Sequence, residues 1–156
     1  MADISATSVW GRIPRRGRLM GVDYGTRRIG IAVCDPDQTL ASPAETIESH
    51  GPEADRSSYR RVIEKWGPRA IVVGLPLHAD GGESPMSIQA RLHAAWLHAT
   101  FELPCLMHDE RYTSLEASAV LYEQDATNKQ RKSRIDNIAA SLLLQSYLDR
   151  LGDAAM

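Results

Sequence analysis

The chain has 156 residues, of which 43% are hydrophobic and 24% charged, and this length and composition indicate one soluble globular domain. The formal charge of −2 excludes a protein that coats nucleic acid by bulk charge, but it is compatible with a local basic face. The apolar stretches are shorter than the ~20 residues of a membrane span. Both cysteines, Cys34 and Cys105, lie in apolar runs, so we expect buried reduced thiols and no disulfide scaffold.

The N-terminal half of the chain predicts three strands and one helix. Leu19–Tyr24 and Ile29–Cys34 form a β-hairpin pattern with a glycine-rich corner. A third strand within Thr39–Ile47 should be an edge strand or an interrupted one, because Pro43 cannot donate a ladder hydrogen bond. Apolar residues at helical spacing then predict a helix that ends at Trp66, before a Gly-Pro pair.

The C-terminal half alternates strands and helices. Ala70–Leu75 is continuously apolar, which is typical of a strand covered on both faces. A helix opening at Pro85 should bury the stripe Ile88, Leu92, Ala95, Trp96 and Ala99. A strand, a short helix with a capping box, a polar loop and a final helix follow: Pro104–His108, Thr113–Glu116, Gln124–Arg134 and Arg134–Leu151. The order predicts an α/β fold, with a mixed central β-sheet flanked by helices.

The two ends of the chain are expected to lie outside this fold. Residues 1–17 show no hydrophobic periodicity and carry three arginines, which predicts a flexible, weakly basic tail. They lack the apolar core of a signal peptide, so we expect a cytoplasmic protein. A single domain then covers residues 18–151, with a short C-terminal tail over residues 152–156.

Acidic residues at three places are candidates for a site. Asp23 ends an apolar strand, where a carboxylate is costly unless it is paired or metal-bound; alternatively, it caps the turn at Gly25. Asp109 and Glu110 follow another strand, and because side chains alternate, only one should face a site; alternatively, they form a solvated charge cluster. Asp136 heads an otherwise apolar helix face; alternatively, it is a helix-start residue.

Carboxylates from two strands and a helix would suit a hard divalent cation. Mg²⁺ and Mn²⁺ prefer oxygen ligands and leave coordination positions open for water and substrate phosphate. Two such ions ~4 Å apart can activate a water molecule and stabilise the leaving oxygen of a phosphodiester. His78 and His108 are candidate auxiliary groups, although a lone histidine is more often structural.

Basic residues flank these carboxylates in the sequence. Arg27 and Arg28 follow Asp23 closely, and a second group precedes Asp136: Lys129, Arg131, Lys132 and Arg134. If the carboxylates converge, both groups border one site, which predicts binding of a nucleic-acid backbone. The alternative for the second group is an ordinary solvated loop.

These residues resemble the YqgF family, also called RuvX, between about Leu19 and Asp149. The resemblance rests on four ordered motifs: Gly21–Thr26 with Gly30–Val33, Val72–Pro76 with Asp80-Gly81, Asp109–Ser114, and Ile135–Ala140 with Leu144–Leu148. It implies an RNase H-like fold, catalytic and metal-binding roles for Asp23, Glu110 and Asp136, and a less certain metal role for Asp109. It also implies phosphodiester hydrolysis that releases a 3′-hydroxyl, either at the 5′ end of pre-16S rRNA in ribosome biogenesis or at Holliday junctions in DNA.

Functions of other classes remain alternatives. One is a nucleic-acid-binding or ribosome-associated factor without catalysis, against which the complete acidic set argues. Another is an actin-like ATPase or sugar kinase, since Asp23-x-Gly25-Thr26 resembles a phosphate-binding turn, but the chain is too short for two lobes. A homodimer stays open as well, because a symmetric resolvase needs two sites.

Overall fold

The computed structural model describes residues 9–112 and 128–155, and of residues 9, 112, 128–134 and 153–155 it describes the backbone alone. Its strands are β1 (Val9–Trp10), β2 (Leu19–Asp23), β3 (Arg28–Cys34), β4 (Ala41–Glu48), β5 (Ala70–Leu75) and β6 (Cys105–Asp109). The helices are α1 (Pro52–Trp66), α2 (Pro85–Phe101) and α3 (Asn128–Ala155), and a 3₁₀ turn spans Glu110–Tyr112. The predicted helix at Thr113–Glu116 lies outside the described residues.

The six described strands form one mixed sheet in the order β1-β6-β5-β2-β3-β4. The central strands β2, β5 and β6 run parallel, whereas β1, β3 and β4 run antiparallel to their neighbours. β4 is an edge strand, as Pro43 predicted, and a register shift beside Ala32 bends its pairing with β3. This topology confirms the predicted mixed sheet, and it brings the carboxyl ends of the three central strands to one edge.

Two apolar layers cover the sheet because side chains alternate along its central strands. Met20 and Val22 of β2 join the core formed with α1 and α2, whereas Leu19 joins the core formed with α3. β5 contributes to both cores and is buried along its whole length, as its continuous apolar run predicted. The sheet is therefore sandwiched between helices.

The buried face of α2 differs from the prediction. Ile88 and Leu92 are 53% and 67% exposed, while the side chains that pack inward are Ser87, Ala90, Arg91, Ala94 and Leu97. Arg91 can lie inside because Glu83 accepts two hydrogen bonds from its guanidinium, at 2.7 and 2.9 Å. The helix is thus rotated relative to its most apolar stripe.

The last helix is longer than predicted at both ends. α3 begins at Asn128, so residues 128–134 of the predicted polar loop are helical, and it continues past Leu151 to Ala155. Charged residues at the start of a helix remain solvated, so their polarity did not distinguish a helix from a loop. The C-terminal tail predicted over residues 152–156 is helical as far as residue 155.

Part of the predicted N-terminal tail belongs to the fold. Trp10 of β1 is buried and pairs with Cys105 of β6. The side-chain amide of Gln38 donates to the carbonyls of Pro14 and Gly17, at 2.9 and 3.0 Å. Contacts so distant in sequence leave no local periodicity, so the sequence alone predicts a tail for residues 9–17.

Cys34 and Cys105 are free and buried, as predicted. Of the helices that the structure describes, none combines the length and the apolarity that crossing a membrane requires.

Candidate active site

Asp23 lies at the carboxyl edge of the sheet between two glycines on the neighbouring strands. It pairs with Gly30 of β3, and the register of β2 with β5 places it beside Gly74. A Cβ atom at Gly74 would collide with the Glu110 carboxylate, and one at Gly30 would collide with the backbone carbonyl of Asp136. The two glycines therefore let the other acidic residues approach Asp23.

Glu110 reaches Asp23 from the 3₁₀ turn that follows β6. The two carboxyl groups share a hydrogen bond in which Glu110 is the donor, which makes Glu110 the protonated partner. Burial, followed by the charge of Asp23, raises the pKa of Glu110 to about 8. Burial also raises the pKa of Asp23, and the charge of Asp136 adds to that rise. A proton is therefore shared between the two carboxyl groups, at a position that a cation could occupy instead.

Asp136, on α3, lies near this pair but has a different partner. The Nε atom of Arg28 donates to its Oδ2 atom at 2.7 Å, and the two side chains are 35% and 24% exposed. Among the residues that the structure describes, no three His, Cys, Asp or Glu side chains form a group that could hold a metal ion. In this arrangement the structure brings Asp23 and Glu110 together, and Asp136 is held by Arg28.

Asp109 faces Arg111 instead of the pair. Its Oδ1 atom accepts hydrogen bonds from the backbone N–H and the Nε atom of Arg111, at 2.9 and 3.1 Å. Burial alone would raise the pKa of Asp109, but the bonds from Arg111 outweigh it and lower that pKa. The guanidinium also donates to the carbonyl of Ala79, at 3.3 Å, which ties the loop after β5 to the 3₁₀ turn. The question of which acidic residue faces Asp23 is thus decided in favour of Glu110.

The chemistry of the donor set suits a divalent cation, although the three carboxyl groups are not gathered around one point in this structure. Two partly buried carboxyl groups share a proton, and a third carboxylate lies near enough to raise the pKa of Asp23. Asp23 and Glu110 would supply the first oxygen ligands, and Asp136 would join them once its bond to Arg28 is released.

The basic residues are distributed around this site. Arg27 and Arg28 line a groove of about 260 Å³ together with Thr26, Glu48, Ser49 and His50. The second basic group, Lys129, Arg131, Lys132 and Arg134, lies in the first two turns of α3, and its side chains fall outside the described part of the chain.

The two candidate histidines differ in their surroundings. His108 packs against α3, with its Nε2 atom 3.0 Å from the Ser146 hydroxyl, and burial lowers its pKa. Its contacts indicate a structural role. The backbone of His78 belongs to the loop after β5, where its N–H donates to the carbonyl of Gly82.

Gly74 is a site residue that reasoning from charge missed. The signal was available, because a glycine inside an otherwise apolar strand often marks a close approach.

Comparison with known proteins places the chain in a family. The RuvX family model, described as a Holliday junction resolvase, matches residues 17–150. The chain belongs to the RuvX family. A Rhodopirellula baltica protein named "Putative pre-16S rRNA nuclease" is 44% identical over 145 residues, which cover 93% of this chain and 84% of that protein. A Novosphingobium aromaticivorans protein of the same name is 39% identical over 151 residues, 97% of each chain.

The fold agrees with this membership of a nuclease family. The structure of Thermus thermophilus RuvC in complex with a Holliday junction substrate matches with a TM-score of 0.53 and 18% identity, over 87% of this chain and 96% of that one. The RNase H-like fold predicted from the resemblance is confirmed, and RuvX and RuvC share it.

Proposed function

We propose that this RuvX protein is a divalent-metal-dependent nuclease in which Asp23, Glu110 and Asp136 hold Mg²⁺ or Mn²⁺, in a site for two ions. The observation that carries the proposal is the partly buried, hydrogen-bonded Asp23–Glu110 pair beside Gly74. Ionising both carboxyl groups at this distance would be costly, and a bound cation would offset that cost. The cations, when bound, would supply the charge that activates water and stabilises the leaving oxygen.

The protein's own groups would position the substrate around that charge. Burial of Asp23 and Glu110 limits the access of bulk water, which strengthens their attraction for a cation. Arg27 and Arg28 line the adjoining groove and would contact substrate phosphates, Arg28 after it has released Asp136. Lys129, Arg131, Lys132 and Arg134 precede Asp136 on α3 and would bind the backbone on the other side of the site. Asp109, bonded to Arg111, would orient the turn that carries Glu110 and would not bind the metal.

We infer that the substrate is pre-16S rRNA, cleaved at its 5′ end in the cytoplasm. Two relatives named "Putative pre-16S rRNA nuclease" match most of this chain. The second candidate is a Holliday junction resolvase, which the description of the family model favours. A resolvase would act as a homodimer with paired sites. A binding factor without catalysis is the remaining alternative.

A cleavage panel tests these proposals. Pre-16S rRNA fragments and four-way DNA junctions are incubated with the protein in Mn²⁺, in Mg²⁺ and in EDTA. We expect RNA cleavage that requires the cation and is lost in Asp23→Asn, with the thermal transition preserved. Asp37→Asn is the matched control, because Asp37 is an exposed aspartate outside the site. Equal cleavage by Asp23→Asn and the parent would refute the site, and cleavage of junctions alone would favour the resolvase.

A further inference from the structure

A second basic surface lies at the opposite end of the sheet from the carboxylates. It is a groove of about 720 Å³ lined by Arg12, Ile13, Pro14, Arg15, Arg69 and Pro104, here named the arginine groove. Arg69 directly precedes β5 and Pro104 directly precedes β6, whereas Asp23 and Glu110 lie at or after the far ends of the parallel strands. The length of β5 separates the two surfaces by about 17 Å, at ~3.3 Å per residue.

The cations of the arginine groove are not neutralised by the fold. Arg12, Arg15 and Arg69 are all exposed, and no carboxylate whose side chain the structure describes forms an ion pair with any of them. Arg28 and Arg91, in contrast, are each bonded to a carboxylate. Three unpaired guanidinium groups in one groove create a local positive potential despite the net charge of −2.

The backbone that carries these arginines is anchored. β1 pairs with β6, Gln38 binds the carbonyls of Pro14 and Gly17, and the Gly17 N–H donates to the carbonyl of Pro36 at 2.8 Å. Gly17 has a φ of +100°, and the aliphatic stem of Arg69 occupies the space that a side chain at Gly17 would need. A ligand would therefore meet guanidinium groups on a positioned backbone, which lowers the entropy cost of binding.

The ligand chemistry follows from the groove's walls. Guanidinium groups bind phosphate oxygens in a bidentate manner, and no described carboxylate in the groove competes for them. Ile13, Pro14 and Pro104 add apolar wall against which sugars can pack. We propose that the arginine groove binds the sugar–phosphate backbone of the RNA substrate at a distance from the cleaved bond. The choice of RNA rests on the proposed function.

The arginine groove lies partly outside the residues that match the family model. Arg12 and Arg15 precede residues 17–150, which match the family model. At ~3.4 Å per base step of a duplex, the 17 Å between the two surfaces corresponds to roughly five steps. A long precursor can therefore reach both surfaces at once.

A pair of matched variants tests the groove. Arg12→Gln/Arg69→Gln removes two of its charges, and Arg56→Gln/Arg60→Gln removes two exposed charges from α1 as the control. Binding of 30-nucleotide and 4-nucleotide RNAs is measured by fluorescence anisotropy in EDTA at several KCl concentrations. All four arginines are exposed, so both variants should keep the parent's thermal transition.

For the long RNA, we expect the salt slope of the groove variant to fall by about 1.4–1.8, at ~0.7–0.9 per lost phosphate contact, and the control slope to stay unchanged. The short RNA makes fewer phosphate contacts, so its salt slope should be smaller than that of the long RNA in all three proteins. In Mn²⁺, the groove variant should raise KM for the long RNA and leave kcat unchanged. Equal slopes for the groove variant and the control would overturn the proposal and point to an acidic protein as the partner. Loss of cleavage in Asp23→Asn is measured separately, so failure of the groove proposal can be distinguished from failure of the proposed active site.

Discussion

The ion pair between Arg28 and Asp136 should oppose metal binding. A cation that recruits the Asp136 carboxylate must compete with the Arg28 guanidinium, which donates to it at 2.7 Å. Such charge-assisted bonds contribute ~1.5–3 kcal/mol, and because both side chains are partly exposed, we reduce this to about 1–2 kcal/mol. Arg28→Gln frees Asp136 and should therefore tighten Mn²⁺ binding by about 5- to 30-fold.

Calorimetric titration with Mn²⁺ at fixed pH and ionic strength measures this effect. Arg27→Gln is the control, since it removes the same formal charge from an exposed neighbour but leaves the ion pair intact. The difference between the two variants isolates the ion pair from the general loss of positive charge. If Arg28→Gln binds Mn²⁺ no more tightly than Arg27→Gln does, Asp136 is not a ligand or the pair does not restrain it, and the reasoning is refuted.

Three further predictions concern stability. Gly30→Ala should lower the free energy of unfolding by about 1–3 kcal/mol in urea denaturation, because the added methyl group meets the backbone carbonyl of Asp136 on α3. Gly152→Ala, also on α3 but in open space, should raise that free energy by ~0.5–1 kcal/mol, and the reverse order of the two variants would contradict the packing. Burial lowers the pKa of His93 to about 4, so the unfolded chain binds a proton that the folded protein excludes, and the free energy of unfolding should fall by about 3 kcal/mol from pH 6.5 to pH 4. Denaturant titrations should show no such fall in His93→Gln, and an equal fall in the variant would contradict the assignment. The pKa of Glu110 is raised to about 8, so the parent loses stability as the pH rises from about 4.5 through 8. In EDTA, the free energy of unfolding of Glu110→Gln relative to the parent should rise by about 2–4 kcal/mol between pH 5 and pH 8.5, and a difference independent of pH would count against the carboxyl pair.

Local patterns were sufficient for the elements that carry their own signal. The apolar run of β5 predicted its burial on both faces, and Pro43 predicted the edge position of β4. Local patterns failed to predict the buried face of a helix where packing against residues distant in the sequence determines that face. Of the stripe predicted for α2, Ala95 and Trp96 pack against the core, whereas Ile88 and Leu92 are exposed. Arg91 lies on the inner face, where Glu83 neutralises it.

The candidate site shows the same division. Placing Asp23 and one of Asp109 and Glu110 at strand ends needed only the alternation of side chains and the rule that sites form at carboxyl edges. Choosing Glu110 needed the 3₁₀ turn that directs it over Gly74 and the bonds that hold Asp109 on Arg111. The roles of these residues in catalysis and metal binding stay predictions.

The sequence by itself determined the fold class, the family and the identity of the acidic residues, because strand periodicity, glycine spacing and short motifs are properties of neighbouring positions. Only the tertiary structure decided that Glu110 shares a proton with Asp23, that Arg28 holds Asp136, and that Arg69 meets the arginines of the N-terminal segment. Each of these interactions is between residues far apart in the chain, so its energy depends on how the helices and strands pack. A local sequence pattern contains no information about that packing.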